Sequence, residues 1–600
     1  MKPQKRKGPL PDTPFDRAAR LHREGRLAEA EAGYRQVLRL QPAHPGTLSN
    51  LGALLRRTGR YPEAVATLEK AVSVNPGNAG AWSNLCNLYR DVGRIAQAVT
   101  AGYRATELAP RDAAALSNLG NALFHANRFD EAKAALERAL AVDPNYPNAW
   151  NNLGNVHQRQ CRIEEAIACY ERVMRIDPGH VTSHSNALFC MHFTPRYSPQ
   201  AIGDAHRAWA AQHEAPLADK RLPERPIDLQ APVLKVGMLS ADLREHPVAD
   251  FLKPLVRHWP AQRLSLHFYS AATSHDAMSR WFQAQAAGWR EVAGMDDEAL
   301  ARQIRADGID VLIDLTGHTA NHRLLAFARR PAPVQATWLG YFDTTGMAAM
   351  DFMIADQVCV RPDEGGRYAE RVVCLPQDFV CYEPPADAPE VGPLPAMAAG
   401  VITFGSQNQL AKVTDEVIAL WAQLILEIPN SRLLLGGKAF NDDSTKAVFL
   451  RKFAAAGLSG ERLILRPGTS KQGVLATYNE IDIALDPFPC AGGTTTCEAL
   501  WMGVPVVSLY GERFGGRHSA SHLAAVGVGG LVTRDADAYR ALARRLAGDL
   551  PSLAGLRARL REQMRGSPLC DGAAFAANFQ KAVETMWRVK AEATGAAAAG

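Results

Sequence analysis

The sequence predicts a helical repeat array followed by two α/β domains. Three observations predict it. Through the first third, marker residues recur every 34 positions. From Leu234 onward the chain alternates continuous apolar runs with helical stretches, the pattern of a parallel sheet covered on both faces. A second such set starts near Val401, and proline-rich segments separate the three parts.

The repeat is carried by Pro42, Pro76, Pro110, Pro144 and Pro178, and by small residues at Ala30, Ala64, Ala98, Ala132 and Ala166. A 34-residue step with proline closing each unit and alanine at a tight crossing resembles the tetratricopeptide repeat. The stretch from Asn148 to Pro178 reads as one helix through Trp150, Leu153 and Gly154, a turn near Cys161, and a second helix through Ala166 and Tyr170. Neither helix buries its face alone, so the units must stack. Asn50, Asn84, Asn118, Asn152 and Asn186 share one register and form a ladder. Their amides are expected to hold the backbone of an extended peptide, against the plainer reading that they bridge neighbouring helices.

At 600 residues the chain exceeds a single core, and 47% hydrophobic with 22% charged residues is ordinary for a globular protein. A net charge of +5 over this length is no nucleic-acid footprint, and no apolar run is long enough to span a membrane. The basic stretch Lys2 to Lys7 reads as a solvated tail, since no apolar segment follows it as in a secretory leader. Ten scattered cysteines without a C-x-x-C pair fit a reducing cytoplasm with free thiols.

Buried strands are expected at "LKVGMLSADL", "LSLHFYSAA", "VLIDLTGHT", "VQATWLGYF" and "DFMIAD", then at "VITFGS", "RLLLGG", "RLILRPG", "IDIALDP" and "VPVVSLYG". Two such sheets facing each other leave a cleft at the carboxyl ends of their strands. "PFPCAGGTTTCEALWMGVP", from Pro487 to Pro505, falls there as strand, glycine-rich turn and helix. Helix N–H groups and the positive end of the dipole favour a diphosphate in front of that turn. Gly493 permits close approach, Thr494, Thr495 and Thr496 offer hydroxyls, and Glu498 lies one turn further in, placed for ribose hydroxyls. The competing reading is a capping box, Thr495-x-x-Glu498. The single D-x-D, Asp535 to Asp537, reads as a helix start, so no metal is expected.

"SADLREHPVADFL", "RRPAPVQATWLGY", "NQLAK" and "AGGTTTCEALWMGVPVVSL" resemble, in that order, the motifs of the O-GlcNAc transferase and SPINDLY family, with "SPLCDG" nearer the SPINDLY branch. The resemblance implies an α superhelix followed by two Rossmann-like α/β domains facing across a cleft, the GT-B arrangement. It implies an inverting glycosyltransferase that moves one sugar from a nucleotide diphosphate to serine or threonine hydroxyls of intracellular proteins. Lys412 would contact the diphosphate with Gln409 beside it, Lys471 would sit near the base and ribose, and His246 would stand near the acceptor as base or positioning group. His318, after a strand end, is a second acceptor-side candidate. Gly493 and Val474 replace histidines of the animal enzymes, and Asp343 adds a charge in a loop of the cleft. The Gly493 and Val474 changes bear on uridine recognition; the resemblance still implies UDP-GlcNAc as first-choice donor, with GDP-fucose as the alternative and an inactive repeat scaffold as the reading from another class. No cofactor, nucleic acid or membrane partner is expected, and a homodimer is left open.

The expected boundaries are a basic tail at 1–13, repeats at 14–195, a helical and proline-rich linker at 196–231, the acceptor-side domain at 232–385, a linker at 386–399, the donor-side domain at 400–589 and a frayed tail at 590–600.

Overall fold

The computed structural model describes residues 13–595. The basic tail lies outside the described residues except for Thr13, which caps the first helix through a reciprocal pair with Asp16. Residues up to Val156 form one compact unit and residues from His157 a second.

The first unit is a run of helix pairs, Pro14–Arg23 with Leu27–Leu40, Pro45–Arg57 with Tyr61–Val74, Ala79–Asp91 with Ile95–Leu108, and Ala113–His125 with Phe129–Val142. Its alanines at 30, 64, 98 and 132 are all fully buried, as a tight crossing requires. Gly52 and Gly120 serve the same purpose, since a Cβ there would lie 2.4 Å from Leu68 Cγ and 2.6 Å from Leu136 Cγ. Each pair turns at a left-handed residue, and the 34-residue step places Gly25, Gly59, Gly93 and Asn127 there.

The second unit opens with the helices Ile163–Ile176, Val181–Met191 and Pro199–His213. These do not form a free-standing end to the repeats, nor is Pro199–His213 part of a linker as the sequence implied. Ile202 and Trp209 are fully buried in one core with Leu239, Leu312 and Phe327 of the first α/β domain. The connecting stretch without helix is shorter, from about 221 to 233.

The first sheet contains β1 (Leu234–Ser240), β2 (Leu264–Ser270), β3 (Gly288–Glu291), β4 (Val311–Asp314), β5 (Val334–Thr337), β6 (Phe352–Asp356) and β7 (Arg371–Leu375). Their order is 3-2-1-4-5-6-7, all parallel. The second contains β8 (Ile402–Ser406), β9 (Ser431–Gly437), β10 (Leu463–Pro467), β11 (Ile483–Leu485), β12 (Val506–Leu509) and β13 (Val532–Thr533), ordered 10-9-8-11-12-13 and again parallel. The strand order reverses direction between β1 and β4, and between β8 and β11. Those are the switch points at which such sheets open a crevice.

The last helix, Gly572–Ala593, departs from the expected domain boundary. It leaves the second sheet and packs on the first, where Trp338 meets Phe579 at 4.9 Å between ring centres. It also continues past the expected onset of fraying at 590, because Lys590 pairs with Asp351 at 2.7 Å and Ala591 is fully buried. Residues 596–600 lie outside the described residues.

Two buried charged contacts join the α/β domains. Glu364, after β6, receives Arg517 in a two-pronged pair at 2.5 and 2.9 Å. Asp378, after β7, accepts from His522 Nδ1 at 2.6 Å. Burial opposes ionisation of Glu364, yet Arg517 wins and holds its carboxyl at about 2, below the usual 4.5. Its stabilisation is thus complete above the usual carboxylate range and is lost as pH falls toward 2. Glu364→Gln is expected to cost about 3–5 kcal/mol at pH 7 by stranding a buried guanidinium. The gap between variant and parent melting temperatures should shrink as both are measured from pH 6 toward pH 3, and a gap that stays constant would remove the ion pair as its cause.

Candidate active site

A cavity of about 800 Å³ lies between the two α/β domains. Much of its wall comes from the carboxyl ends of strands and the loops that follow them: Asp242 to Phe251 after β1, His318 to Asn321 after β4, Leu339 to Phe342 after β5, Gln407 to Lys412 after β8, Gly437 to Ala439 at the end of β9, and Arg466 to Thr469 at the end of β10; helices add Asn186, Phe189 and Val474. Of the residues expected from sequence, His246, His318, Gln409, Lys412 and Asn186 line it, as does Val474. Lys471, Gly493, Thr494, Thr495, Thr496 and Glu498 are not part of that wall.

Lys412 connects the cavity to the glycine-rich turn. It ends a short helical turn, Leu410–Lys412, and its Nζ donates to Ala491 O at 2.6 Å. An ammonium has three donors, and with the Cys490 thiol also met one remains for another partner. The turn itself is held from behind by Asp486, which accepts from Gly492 N at 2.7 Å and from Ser508 Oγ at 2.6 Å.

The helix after the turn, Thr494–Trp501, starts at Gly493 without a side-chain cap. The capping-box reading is therefore wrong: no side chain accepts from the first turn. Nor are all three threonines available to a ligand. Thr495 Oγ1 donates to Asn408 Oδ1 at 2.9 Å, and Thr496 Oγ1 pairs with Ser519 Oγ at 2.7 Å. These two hydroxyls fix the turn to a neighbouring loop and to the helix His518–Ala525 instead. In front of Gly493 there is space: a Cβ built there would meet a single atom within 4 Å, His518 Nδ1 at 3.8 Å.

Glu498 is buried close to Lys471 and Asp250, and burial raises its carboxyl to about 7 despite the nearby ammonium. Lys471 Nζ donates to Asp250 Oδ1 at 2.6 Å, bridging the second domain to the first. Burial also raises the Asp250 carboxyl, against the pull of Lys471.

His246 is the N-cap of the helix Pro247–Arg257, and its Nδ1 accepts from Val248 N at 3.3 Å. The neutral ring then carries its proton on Nε2, 3.8 Å from Asp242 Oδ1. In that tautomer it can donate into the cavity but cannot take a proton from an acceptor hydroxyl. Burial lowers its pKa, partly offset by Asp242. His318 is likewise occupied: Nδ1 lies 3.1 Å from Ser185 Oγ and Nε2 lies 2.9 Å from Thr345 O. It shapes the wall as a neutral ring rather than serving as a base. Asp343 does not alter the cleft, because it turns into a buried network, accepting from Thr344 N at 2.8 Å.

The asparagine ladder is partly internal. Asn84 donates to Ser49 Oγ at 3.2 Å, Asn118 to Ser83 Oγ at 2.8 Å and Asn152 to Ser117 Oγ at 3.2 Å, each one repeat back. Asn50 pairs with the Tyr34 hydroxyl. The helix-bridging reading is thus present in the structure, and it leaves amide oxygens on the same row. Sequence reasoning missed Asp250, Asn408 and His518. The first two touch residues already singled out, and only the fold brings them there. His518 follows a second glycine-rich turn, "GERFGGRH", the one local signal that could have found it.

Two parallel sheets with their switch points facing across a cavity define the GT-B type of glycosyltransferase fold. The glycosyl transferase family 41 pattern matches residues 201–383 and 394–579, and tetratricopeptide patterns match segments from 15 to 180. The chain belongs to glycosyl transferase family 41. It is 38% identical over 407 residues to a barley (Hordeum vulgare) protein named probable UDP-N-acetylglucosamine–peptide N-acetylglucosaminyltransferase SPINDLY, covering 67% of this chain and 43% of that one. An Arabidopsis thaliana protein with the same enzyme name, SEC, is 26% identical over 368 residues, 59% of this chain and 37% of that one. The chain thus matches less than half the length of these curated relatives. The solved structure of a mutant Thermobaculum terrenum O-GlcNAc transferase superposes with a TM-score of 0.82 at 35% identity, over 86% of this chain and 98% of the other.

A carboxyl that titrates near 7 in the fold but near 4.5 when unfolded destabilises the fold as pH rises between those values. Glu498→Gln should therefore melt like the parent at pH 5 and at a higher temperature than the parent at pH 8. Equal melting curves at both pH values would show that Glu498 is not the buried acid described.

Proposed function

We propose that the chain transfers one sugar from a nucleotide diphosphate to serine or threonine hydroxyls of proteins, with inversion at the sugar carbon and without a metal ion. UDP-GlcNAc is the first-choice donor. The observation that carries this reading is Lys412, whose ammonium stands on the cavity wall and reaches the carbonyl of Ala491 at the mouth of the glycine-rich turn. As the glycosidic bond breaks, negative charge grows on the departing phosphate, and a fixed ammonium beside uncapped helix N–H groups stabilises it. Gln409 and Thr494 would complete the phosphate contacts, with Lys471 and Glu498 on the ribose side. His246, donating from Nε2, would orient the acceptor opposite the leaving group. The names of the relatives support a protein acceptor and a UDP-GlcNAc donor.

The GDP-fucose alternative rests on the SPINDLY-like segments "SPLCDG" and "CEALWMGVP", and two positions bear on uridine recognition. Val474 lines the cavity without an imidazole to stack on a base, and Gly493 presents no side chain. Acceptor peptides would bind through Asn50, Asn84, Asn118, Asn152 and Asn186. We place the protein in the cytoplasm, which its ten unpaired cysteines support. No helix among the described residues is long and apolar enough to cross a membrane.

Incubation with a panel of nucleotide sugars and intact-mass detection on protein acceptors tests the reading. One donor should add one sugar mass, and Lys412→Ala should lower turnover by about 10²–10³ with the melting temperature retained. No transfer and no nucleotide binding from any donor, with partner binding intact, would favour the scaffold instead. The ladder is tested separately. Ser83→Ala with Ser117→Ala removes the inter-repeat bonds and keeps the amides, so the acceptor KM should hold. Asn118→Ala with Asn152→Ala should raise it severalfold, and equal effects from both pairs would reduce the asparagines to bridges.

A further inference from the structure

We propose that His518 binds the sugar-nucleotide diphosphate, its Nδ1–H donating to a phosphate oxygen in the space before Gly493. This rests on the reading of the cleft as a nucleotide-diphosphate site, and it adds a residue outside the turn, the lysine and the helix mouth. His518 is the first residue of the helix His518–Ala525. Its ring is set among Phe379, Phe514 and Phe342, with centres 5.1, 5.2 and 6.1 Å away. Nε2 is buried and has no partner. Nδ1 is the atom that faces the position where Gly493 would carry a Cβ, 3.8 Å from it.

The choice of tautomer follows from the surroundings. An orphaned buried N–H is rarer and costlier than an orphaned acceptor. The proton therefore belongs on Nδ1, toward the open space, and the bare lone pair on Nε2 toward the phenylalanines. Burial, the neighbouring His522 and the Lys412 ammonium all keep the ring neutral. The result is a neutral, rigid donor held beside a cation, in front of helix N–H groups, with no protein acceptor of its own. An anionic oxygen satisfies all three at once. A glycine at 493 is what leaves the path clear.

The test uses the full chain and isothermal titration with UDP, GDP and the two unphosphorylated nucleosides. His518→Phe keeps the aromatic packing and removes the donor. It should weaken the preferred nucleoside diphosphate by about tenfold or more and leave nucleoside binding unchanged. His518→Asn places an amide nitrogen where Nδ1 was and should restore affinity to within about threefold, whereas His518→Gln, which mimics Nε2, should not. Parent-like diphosphate affinity in His518→Phe overturns the inference, as does an equal loss in the asparagine and glutamine variants. If the phenylalanine variant fails to fold, the comparison of asparagine with glutamine decides alone. Lys412→Met separates the two levels. If it loses diphosphate affinity while His518→Phe does not, only the role of His518 falls. If neither loses it, or the parent binds no nucleoside diphosphate, the cleft reading falls with it.

Discussion

The site exists because two parallel sheets are held with their carboxyl edges facing, and the hold is a pair of buried charged contacts. Glu364 with Arg517 and Asp378 with His522 both run from the loops after β6 and β7 to one short stretch, residues 517 to 522, of the second domain. Neither contact would be worth much at the surface, where exposed ion pairs contribute little. Buried, each commits the two domains to one relative placement, since breaking one leaves a charge or a polar ring without solvent. Arg517 tightens this further by donating to the carbonyls of Gly511, Cys359 and Glu512. The same stretch carries His518, so the residues that set the spacing of the domains also bring that ring to the space before Gly493. Lys471 and Asp250 add a third tie between the domains.

Around that frame the chemistry is distributed by layers. Lys412 and the uncapped turn at Gly493 supply positive potential. Asp486, Asn408 and Ser519 stand behind them and fix their geometry through short hydrogen bonds. The histidines near the cleft are committed: His246 caps a helix, His318 bridges Ser185 and Thr345, and His522 is held toward its charged form by Asp378. On the proposed reading, rings so engaged would orient groups and exclude water, and the cleft would act as a preorganised set of donors for growing negative charge, where electrostatic catalysis gains most.

Much of this was legible in the sequence, and the limits have physical causes. The 34-residue step fixes alanine and glycine crossings because close helix packing tolerates no larger side chain. The central strands announce themselves as apolar runs because both faces are covered. The edge strands β3 and β7 escaped notice because "GWRE" and "RVVCL" are half-exposed and carry no such run. Gln409, Lys412 and His246 were legible through motifs that resemble a known family, and His318 through its place after a strand end; all four line the cavity. The fate of Thr495 and Thr496 was not legible, since their partners Asn408 and Ser519 lie 87 and 23 residues away. The same applies to the last repeat helices and to Gly572–Ala593, whose partners are settled by three-dimensional packing rather than by local pattern.

That last helix carries a consequence for biosynthesis. Phe575 and Phe579 close over Trp338, and Trp587 donates to the carbonyl of Asp228 at 3.1 Å. Most of the first sheet is translated about two hundred residues or more before the segment that seals it. While the ribosome is still elongating, that sheet must wait with an apolar flank uncovered, and a transcript cut short before position 572 would release a protein with a greasy surface open to chaperones and proteases. The seam thus closes only after residues 572–593 have been made.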